Sequence, residues 1–329
     1  MKEKVLITGA SGFIGFHLIE AALEMGLDVC AAVRRNSDVR HLQVHNIQYC
    51  YPDFNDVESL KNELEKSGCQ YIIHALGTTK AGTQEDYNAI NAGYTYNIAK
   101  AAEALGPSFK KLVFISSLAA LGPLSEASET ITEQTHPHPV TAYGKSKLLA
   151  EQQLATLSVP YVVLRPTAVY GPREKDIFIM FRTIKRGWEP YIGKKEQQLS
   201  FIYVKDLAVI AINALFNKSA SRDVFNVSDG KSYSRYQLAN SVKAFLHKKT
   251  TKIHLPYSVV KGLAFILEKT YRFMNAVPAL NREKLNELTA LNWHCSIEKA
   301  KRELGFTPAY DLDEGLQETL AWYKHNNWI

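Results

Sequence analysis

Residues 5–15 read Val5-Leu6-Ile7-Thr8-Gly9-Ala10-Ser11-Gly12-Phe13-Ile14-Gly15. Val5, Leu6 and Ile7 form a short apolar run of the kind that makes a buried strand. Over residues 13–25 the apolar residues take helical spacing. Glycines at these intervals let the chain turn tightly and bring backbone N–H groups against a pyrophosphate. The positive N-terminus of the following helix points at the same place. A glycine triplet alone is a weak signal. This one follows a strand, opens a helix and stands in the first unit of an alternating pattern, which is the context that gives it meaning.

The alternation continues outward. Apolar runs recur at residues 28–33, 47–51, 71–76, 112–116 and 161–165, with helix-like segments between them at 56–66, 87–105 and 141–157. Short buried strands separated by helices predict a parallel sheet covered on both faces. After Pro166 the rhythm changes. Helices dominate, and strand-like runs shrink to residues 199–204 and 224–227. The expected fold is α/β: a Rossmann-type doubly wound parallel sheet with a smaller, mostly helical C-terminal substrate lobe. Residues 1–165 and 199–228 are assigned to the dinucleotide-binding domain. Residues 166–198 and 229–329 are assigned to the lobe.

Composition narrows the function. The chain has 329 residues, 46% hydrophobic and 22% charged, which excludes collagen, a disordered tail protein and a small disulfide scaffold. The net charge of +6 is not gathered into any run of five like charges, so no nucleic-acid stripe is expected. Cys30, Cys50, Cys69 and Cys295 lie far apart and form no Cys-x-x-Cys pair. His136-Pro137-His138 is the only close histidine pair, and the proline sets it in an extended loop, so no metal site is expected. The apolar stretch after Met1-Lys2-Glu3-Lys4 breaks at once into glycines, unlike a signal peptide, and no stretch of eighteen apolar residues occurs. A reduced, cytoplasmic enzyme is the expectation.

Three places carry chemistry. The end of the second strand selects the nucleotide. Where an NAD site usually offers a carboxylate to the ribose 2′-OH, this chain has Val33, then Arg34 and Arg35. A guanidinium binds a 2′-phosphate by charge-assisted hydrogen bonds, so Arg34 makes NADP(H) the preferred cofactor, with NAD(H) as the second candidate. Asp53 and Phe54 suit a lid over the adenine, or an ordinary turn. The fifth strand ends in Ser116-Ser117, and chemistry in such sheets collects beyond the strands' carboxyl ends. Tyr143 and Lys147 lie four apart on one helix face. A nearby ammonium favours phenolate, so the Tyr143 pKa is expected to fall toward neutrality and the phenol to exchange a proton with a carbonyl or alcohol oxygen. Tyr-x-x-x-Lys also occurs at Tyr96/Lys100, Tyr191/Lys195 and Tyr257/Lys261. Only Tyr143/Lys147 opens a helix after the serines. Tyr96 reads as packing, Tyr191 as part of a Gly-rich loop and Tyr257 as part of the helical lobe.

Taken together, these residues resemble the extended short-chain dehydrogenase/reductase family, the NAD-dependent epimerase/dehydratase superfamily. The likeness runs through His74-Ala75, Asn91 with Thr95 and Asn97, Arg165-Pro166, Tyr170-Gly171-Pro172, residues 201–206 and Phe225-Asn226-Val227. It implies Ser117 as donor to the substrate oxygen, Tyr143 as acid/base and Lys147 on the nicotinamide ribose. Ser116 takes the serine role if the strand is aligned one residue earlier. The implied cofactor contacts are Gly9, Ser11, Gly12, Phe13, Ile14, Gly15, Arg34, Asp53, Phe54, Ala75, Asn91, Ser116, Tyr143, Lys147 and Pro166. The resemblance also implies a homodimer paired through residues 87–105 and 141–157.

The C-terminal region looks nearest the 3β-hydroxysteroid dehydrogenase and dihydroflavonol-4-reductase-like branch. Sugar-nucleotide members usually carry an Arg before Phe201, where this chain has Leu199-Ser200. Dehydratases want acids after the serine, where it has Leu118-Ala119-Ala120-Leu121. The segment Thr167-Ala168-Val169-Tyr170 lacks the Asn of many epimerases. The reading is ketone/alcohol redox on a bulky apolar substrate: steroid-, flavonoid- or long-chain keto-lipid-like. A nucleotide-sugar epimerase/dehydratase and a non-catalytic NADP(H) sensor are the alternatives. Residues 255–274 are apolar with scattered charges, and suit either helices packed on the lobe core or a wall for a greasy substrate that also touches a membrane surface.

Overall fold

The computed structural model describes residues 2–273 and 280–329. Strands β1 (Lys4–Thr8), β2 (Asp28–Ala32), β3 (Gln48–Cys50), β4 (Tyr71–His74), β5 (Lys111–Ile115) and β6 (Tyr161–Pro166) alternate with helices α1 (Phe13–Glu24), α2 (Val57–Ser67), α3 (Gln84–Tyr87), α4 (Tyr94–Ala104) and α5 (Ala142–Ala155). The chain continues through β7 (Ala168–Tyr170), α6 (Asp176–Lys185), β8 (Trp188–Ile192), β9 (Gln198–Leu199), β10 (Phe201–Tyr203), α7 (Val204–Phe216) and β11 (Asp223–Val227). It closes with β12 (Tyr233–Ser234), α8 (Gln237–Leu246), β13 (Thr251–Leu255), α9 (Tyr257–Phe273), α10 (Arg282–Thr289), α11 (Glu298–Leu304) and α12 (Leu312–His325).

Seven parallel strands form one sheet in the order β11-β6-β5-β4-β1-β2-β3. Strand side chains alternate across it. Val5, Ile7, Ile73, Val113, Ile115 and Leu164 enter the layer shared with α1, α7 and α11. Leu6, Ile72, Leu112, Phe114 and Val163 enter the layer shared with α2, α4 and α5. Both faces are covered, which explains why the strands read as unbroken apolar runs. The order reverses between β1 and β4, and the crevice that opens there is the switch point where open sheets of this kind bind ligands.

Local signals set the helix starts. Asp56 caps α2 by accepting from the N–H groups of Glu58 and Ser59, and Thr141 caps α5 by accepting from Gly144. The single helix expected over 87–105 is instead divided into α3, a π-helical stretch over residues 88–93, and α4. Such bulges are frequent at functional sites.

The C-terminal lobe packs aromatic rings of Tyr170, Phe181, Tyr191, Phe201, Tyr203 and Tyr323 among α6, α8 and α12. Three two-stranded pairs, β7–β10, β8–β13 and β9–β12, stand among its helices. The sequence placed Tyr191 in a loop. It lies in β8, paired to His254 of β13, with its buried hydroxyl donating to Glu189 at 2.5 Å. A short strand flanked by Gly187 and Gly193 carries too little apolar alternation to be read as one. All four cysteines are free and buried. Among the described residues, no helix is long and apolar enough to cross a membrane and no metal-binding cluster occurs.

Candidate active site

The glycine loop joins β1 to α1. Gly9 sits at φ +68°, and a Cβ there would stand 2.7 Å from the Ala75 carbonyl oxygen. A Cβ on Gly15 would stand 2.1 Å from the Gly9 oxygen. Only glycine permits either approach. Gly12 donates its N–H to the Gly9 carbonyl at 2.9 Å and caps α1 without any side-chain hydrogen bond. The first N–H groups of α1, from Phe13 and Ile14 onward, therefore lie beyond the end of β1 without a side-chain cap. That arrangement suits an anionic diphosphate. Ser11 stands in the turn itself.

The opposite wall of the crevice is the end of β4. His74 is fully buried and its Nδ1 meets Thr8 Oγ1 at 2.8 Å, while Thr8 Oγ1 accepts from Leu76 N at 3.2 Å. Burial, aided by the charge of Lys147, pushes the imidazole down to about 3. This neutral ring thus pins the ends of β1 and β4 and holds Ala75 against Gly9.

Beyond β5 the two serines diverge. Ser116 points inward, and its hydroxyl donates to Glu151 Oε1 at 2.5 Å. The side chain foreseen as a cofactor contact and fallback catalyst is committed to a buried carboxylate. Ser117 Oγ accepts from Ala119 N at 3.2 Å, and the Ser117 hydroxyl draws the Tyr143 phenol pKa down. Burial opposes this more strongly, and the Glu287 charge adds to burial, so the phenol is pushed up to about 12. The fall toward neutrality expected from the sequence is absent from the protein alone. The reason is where the ammonium goes: Lys147 Nζ donates to the Ile115 carbonyl at 2.9 Å and lies 4.8 Å above the Phe114 ring. Burial pushes Lys147 itself down to about 8, with Glu151 pulling the other way.

Asn91, foreseen as a cofactor or water-relay contact, is fully buried in the π-helical stretch. Its Oδ1 accepts from Thr78 N at 2.7 Å, and its Nδ2 donates to Thr78 O at 3.0 Å and Ser146 Oγ at 2.9 Å. It fastens the loop following β4 to α5. A Cβ on Gly77 would lie 3.0 Å from Asn91 Oδ1 and 3.3 Å from Lys147 Nζ, so Asn91 and Lys147 flank one backbone segment. Asp53 Oδ1 accepts from Asn55 N at 2.9 Å in a tight turn, and Phe54 packs on the His74 and Tyr94 rings. Pro166 ends β6, beside Val227 of β11. Arg34 is exposed at the end of β2, whereas the Arg35 guanidinium lies 5.1 Å over the Tyr51 ring.

Sequence reasoning missed Glu151. It accepts from Arg165 Nε at 3.0 Å and Nη2 at 2.5 Å, both side chains being buried. Its place four residues after Lys147 was the available signal, since positions 143, 147 and 151 share one face of a helix. It also missed Glu283 of α10, whose Oε2 accepts the Ala142 N–H at 2.8 Å and ties the lobe to the start of α5 beside Tyr143.

The profile of the NAD-dependent epimerase/dehydratase family matches residues 5–228. The chain belongs to that family. Within it, the chain is 28% identical to the sterol-4-alpha-carboxylate 3-dehydrogenase (decarboxylating) of Candida albicans, over 98% of each protein. It is 27% identical to the UDP-glucose 4-epimerase of Vibrio cholerae, over 99% of this chain and 98% of that one. The UDP-glucose 4-epimerase of Thermotoga maritima, solved with UDP-glucose, superposes with a TM-score of 0.80 at 21% identity, over 98% and 99% of the two chains. This epimerase/dehydratase family thus contributes both sterol oxidoreductases and sugar-nucleotide epimerases as relatives.

Proposed function

We propose that this protein is an NADP(H)-dependent oxidoreductase that interconverts a ketone and a secondary alcohol on a bulky apolar substrate. The observation that carries the reading is the apolar turn beside the catalytic hydroxyls. The turn at Leu118–Ala120 that follows Ser117 holds no acid, and the Ser117 hydroxyl draws the Tyr143 phenol pKa down. Ser117 caps that turn by accepting from Ala119 N at 3.2 Å. A dehydratase needs a carboxylate there. Proton exchange at one oxygen needs only the hydroxyls.

In this reading Ser117 donates to the carbonyl oxygen and Tyr143 transfers its phenol proton to that oxygen as the alcohol forms. A bound nicotinamide cofactor supplies the hydride to the carbonyl carbon. Lys147, fixed by the Ile115 carbonyl, keeps a cation one helical turn from the phenol. Arg34 selects the 2′-phosphate in this reading, because its side chain is exposed just past the end of β2. Gly9, Ser11, Gly12, Phe13, Ile14 and Gly15 hold the diphosphate.

A sugar diphosphate would need buried cations, because an unpaired buried charge is very costly. Leu199 occupies the position where sugar-nucleotide relatives place an Arg. Of the cations that could compensate, Lys194 and Lys195 are exposed and the Arg173 guanidinium lies 4.0 Å over the Phe16 ring, on the α1 side. The similarity to a sterol dehydrogenase across the whole chain agrees with an apolar substrate. The functional unit in this reading is a homodimer built on α4 and α5. The four free thiols suit a reducing, cytoplasmic setting.

The test is NADPH consumption with steroid, flavonoid and long-chain ketones, beside thermal shift with UDP-sugars in the presence of NADP⁺. Turnover of an apolar ketone is the expected result. Stabilisation by UDP-sugars without any apolar turnover would replace the reading by an epimerase.

A further inference from the structure

Helix α9 has three faces instead of two. Val260 and Ala264 are buried against the lobe, with Leu267 following at helical spacing. On another side, Val259, Leu263 and Ile266 recur at intervals of four and three and so share one face. They are 59%, 50% and 60% exposed. A soluble helix normally turns polar residues to water on such a face. The exposed Lys261 stands on the side of the helix away from that face, and the exposed Lys269 stands nearer its edge.

The charge around this helix is one-sided. Residues 248–269 contain five lysines, Lys248, Lys249, Lys252, Lys261 and Lys269, and one acid, Glu268. Glu268 is already engaged, accepting from Arg282 Nε at 2.9 Å and Arg282 N at 2.7 Å. The exposed apolar residues Leu255, Tyr257 and Phe265 add to the same region, with Lys269 lying 5.3 Å over the Phe265 ring. A helix with an exposed apolar face, lysines on its polar side and its single carboxylate neutralised matches the interface of an anionic bilayer: acyl chains take the apolar residues and lipid phosphates take the ammonium groups.

We infer that α9 docks this protein on the surface of an anionic lipid membrane. The helix lies in the plane of the interface with Val259, Leu263 and Ile266 inserted. The position relative to the site gives the docking a purpose. Arg282 joins α9 to α10, and the next residue, Glu283, holds the Ala142 N–H beside Tyr143. One helix, α10, therefore links the docking helix to the start of α5 beside Tyr143, which suits an apolar ketone drawn from the bilayer. That last step rests on the oxidoreductase reading above; the docking does not.

The experiment is co-sedimentation of the full chain with phosphatidylglycerol vesicles and with phosphatidylcholine vesicles, at low and high salt. Binding to phosphatidylglycerol that weakens with salt is expected. Leu263→Glu/Ile266→Glu should abolish it, and Lys261→Ala/Lys269→Ala should weaken it by roughly tenfold or more. Circular dichroism and NADPH affinity should be unchanged in both variants, since the altered side chains face solvent. No binding to phosphatidylglycerol, or equal binding by Leu263→Glu/Ile266→Glu, would overturn the inference. So would a fall in sedimentation mass in that variant without vesicle binding by the wild type, which would make the face a contact between two copies. Vesicle binding by a protein that turns over no apolar ketone would leave the docking intact and remove the proposed chemistry.

Discussion

Glu151, on the α5 face that carries Tyr143 and Lys147, forms a buried pair with Arg165, with Arg165 Nη2 at 2.5 Å from Glu151 Oε2. The same carboxylate accepts from Ser116 and lies one turn beyond Lys147. The pair therefore fixes the end of β5, the end of β6 and the middle of α5 relative to one another. Removing one partner leaves a buried charge uncompensated. Glu151→Ala should lose about 3–5 kcal/mol of stability, read as a shift of the denaturant midpoint. Unchanged unfolding would show that the pair holds nothing together.

Tyr143→Phe removes only the hydroxyl. Turnover should fall by about 10²–10⁴-fold while NADPH affinity stays close to wild type, because the proposed cofactor contacts of the loop remain. Single-turnover kinetics with a titration of cofactor fluorescence separates the two effects. Residual activity of more than a hundredth would remove Tyr143 from the proton-transfer role.

The pH dependence follows from Lys147. Burial lowers its pKa from the ordinary lysine value to about 8, so the group is charged below that pH and neutral above it. The kcat/KM for ketone reduction should therefore decline as pH rises through about 8. The linkage has the opposite sense for folding: a buried ammonium is costlier in the native chain, so Lys147 disfavours folding below pH 8 and ceases to do so above the free-lysine value. A flat profile from pH 7 to 10 would exclude the ammonium from catalysis.

Arg34→Ala should weaken NADPH binding about tenfold or more while leaving NADH nearly unchanged, since a hydrogen bond to a charged group contributes about 1.5–3 kcal/mol. Isothermal titration with both cofactors decides it. Equal losses would mean that the guanidinium does not meet a 2′-phosphate.

Gly15→Ala places a methyl group 2.1 Å from the Gly9 oxygen unless the loop moves. Cofactor affinity should drop sharply and the melting temperature with it. Unchanged affinity would show that the loop does not carry the diphosphate.

The sequence by itself determined the doubly wound sheet, the glycine loop and the Tyr143/Lys147 pair. Strands buried on both faces leave unbroken apolar runs, glycine is the one residue that tolerates the Gly9 and Gly15 approaches, and an i,i+4 pair is local to one helix. Tertiary structure alone commits the hydroxyl of Ser116, which the sequence reading ranked second to Ser117, to Glu151, because that carboxylate comes from another element. It also decided the partners of Glu151 and Asn91, which meet Arg165 and Thr78 from other elements. The pKa of Tyr143 is the clearest case. Sequence spacing brought an ammonium near the phenol, but the direction of that ammonium, toward the Ile115 carbonyl, and the desolvation of the hydroxyl depend on chain segments far from residue 143.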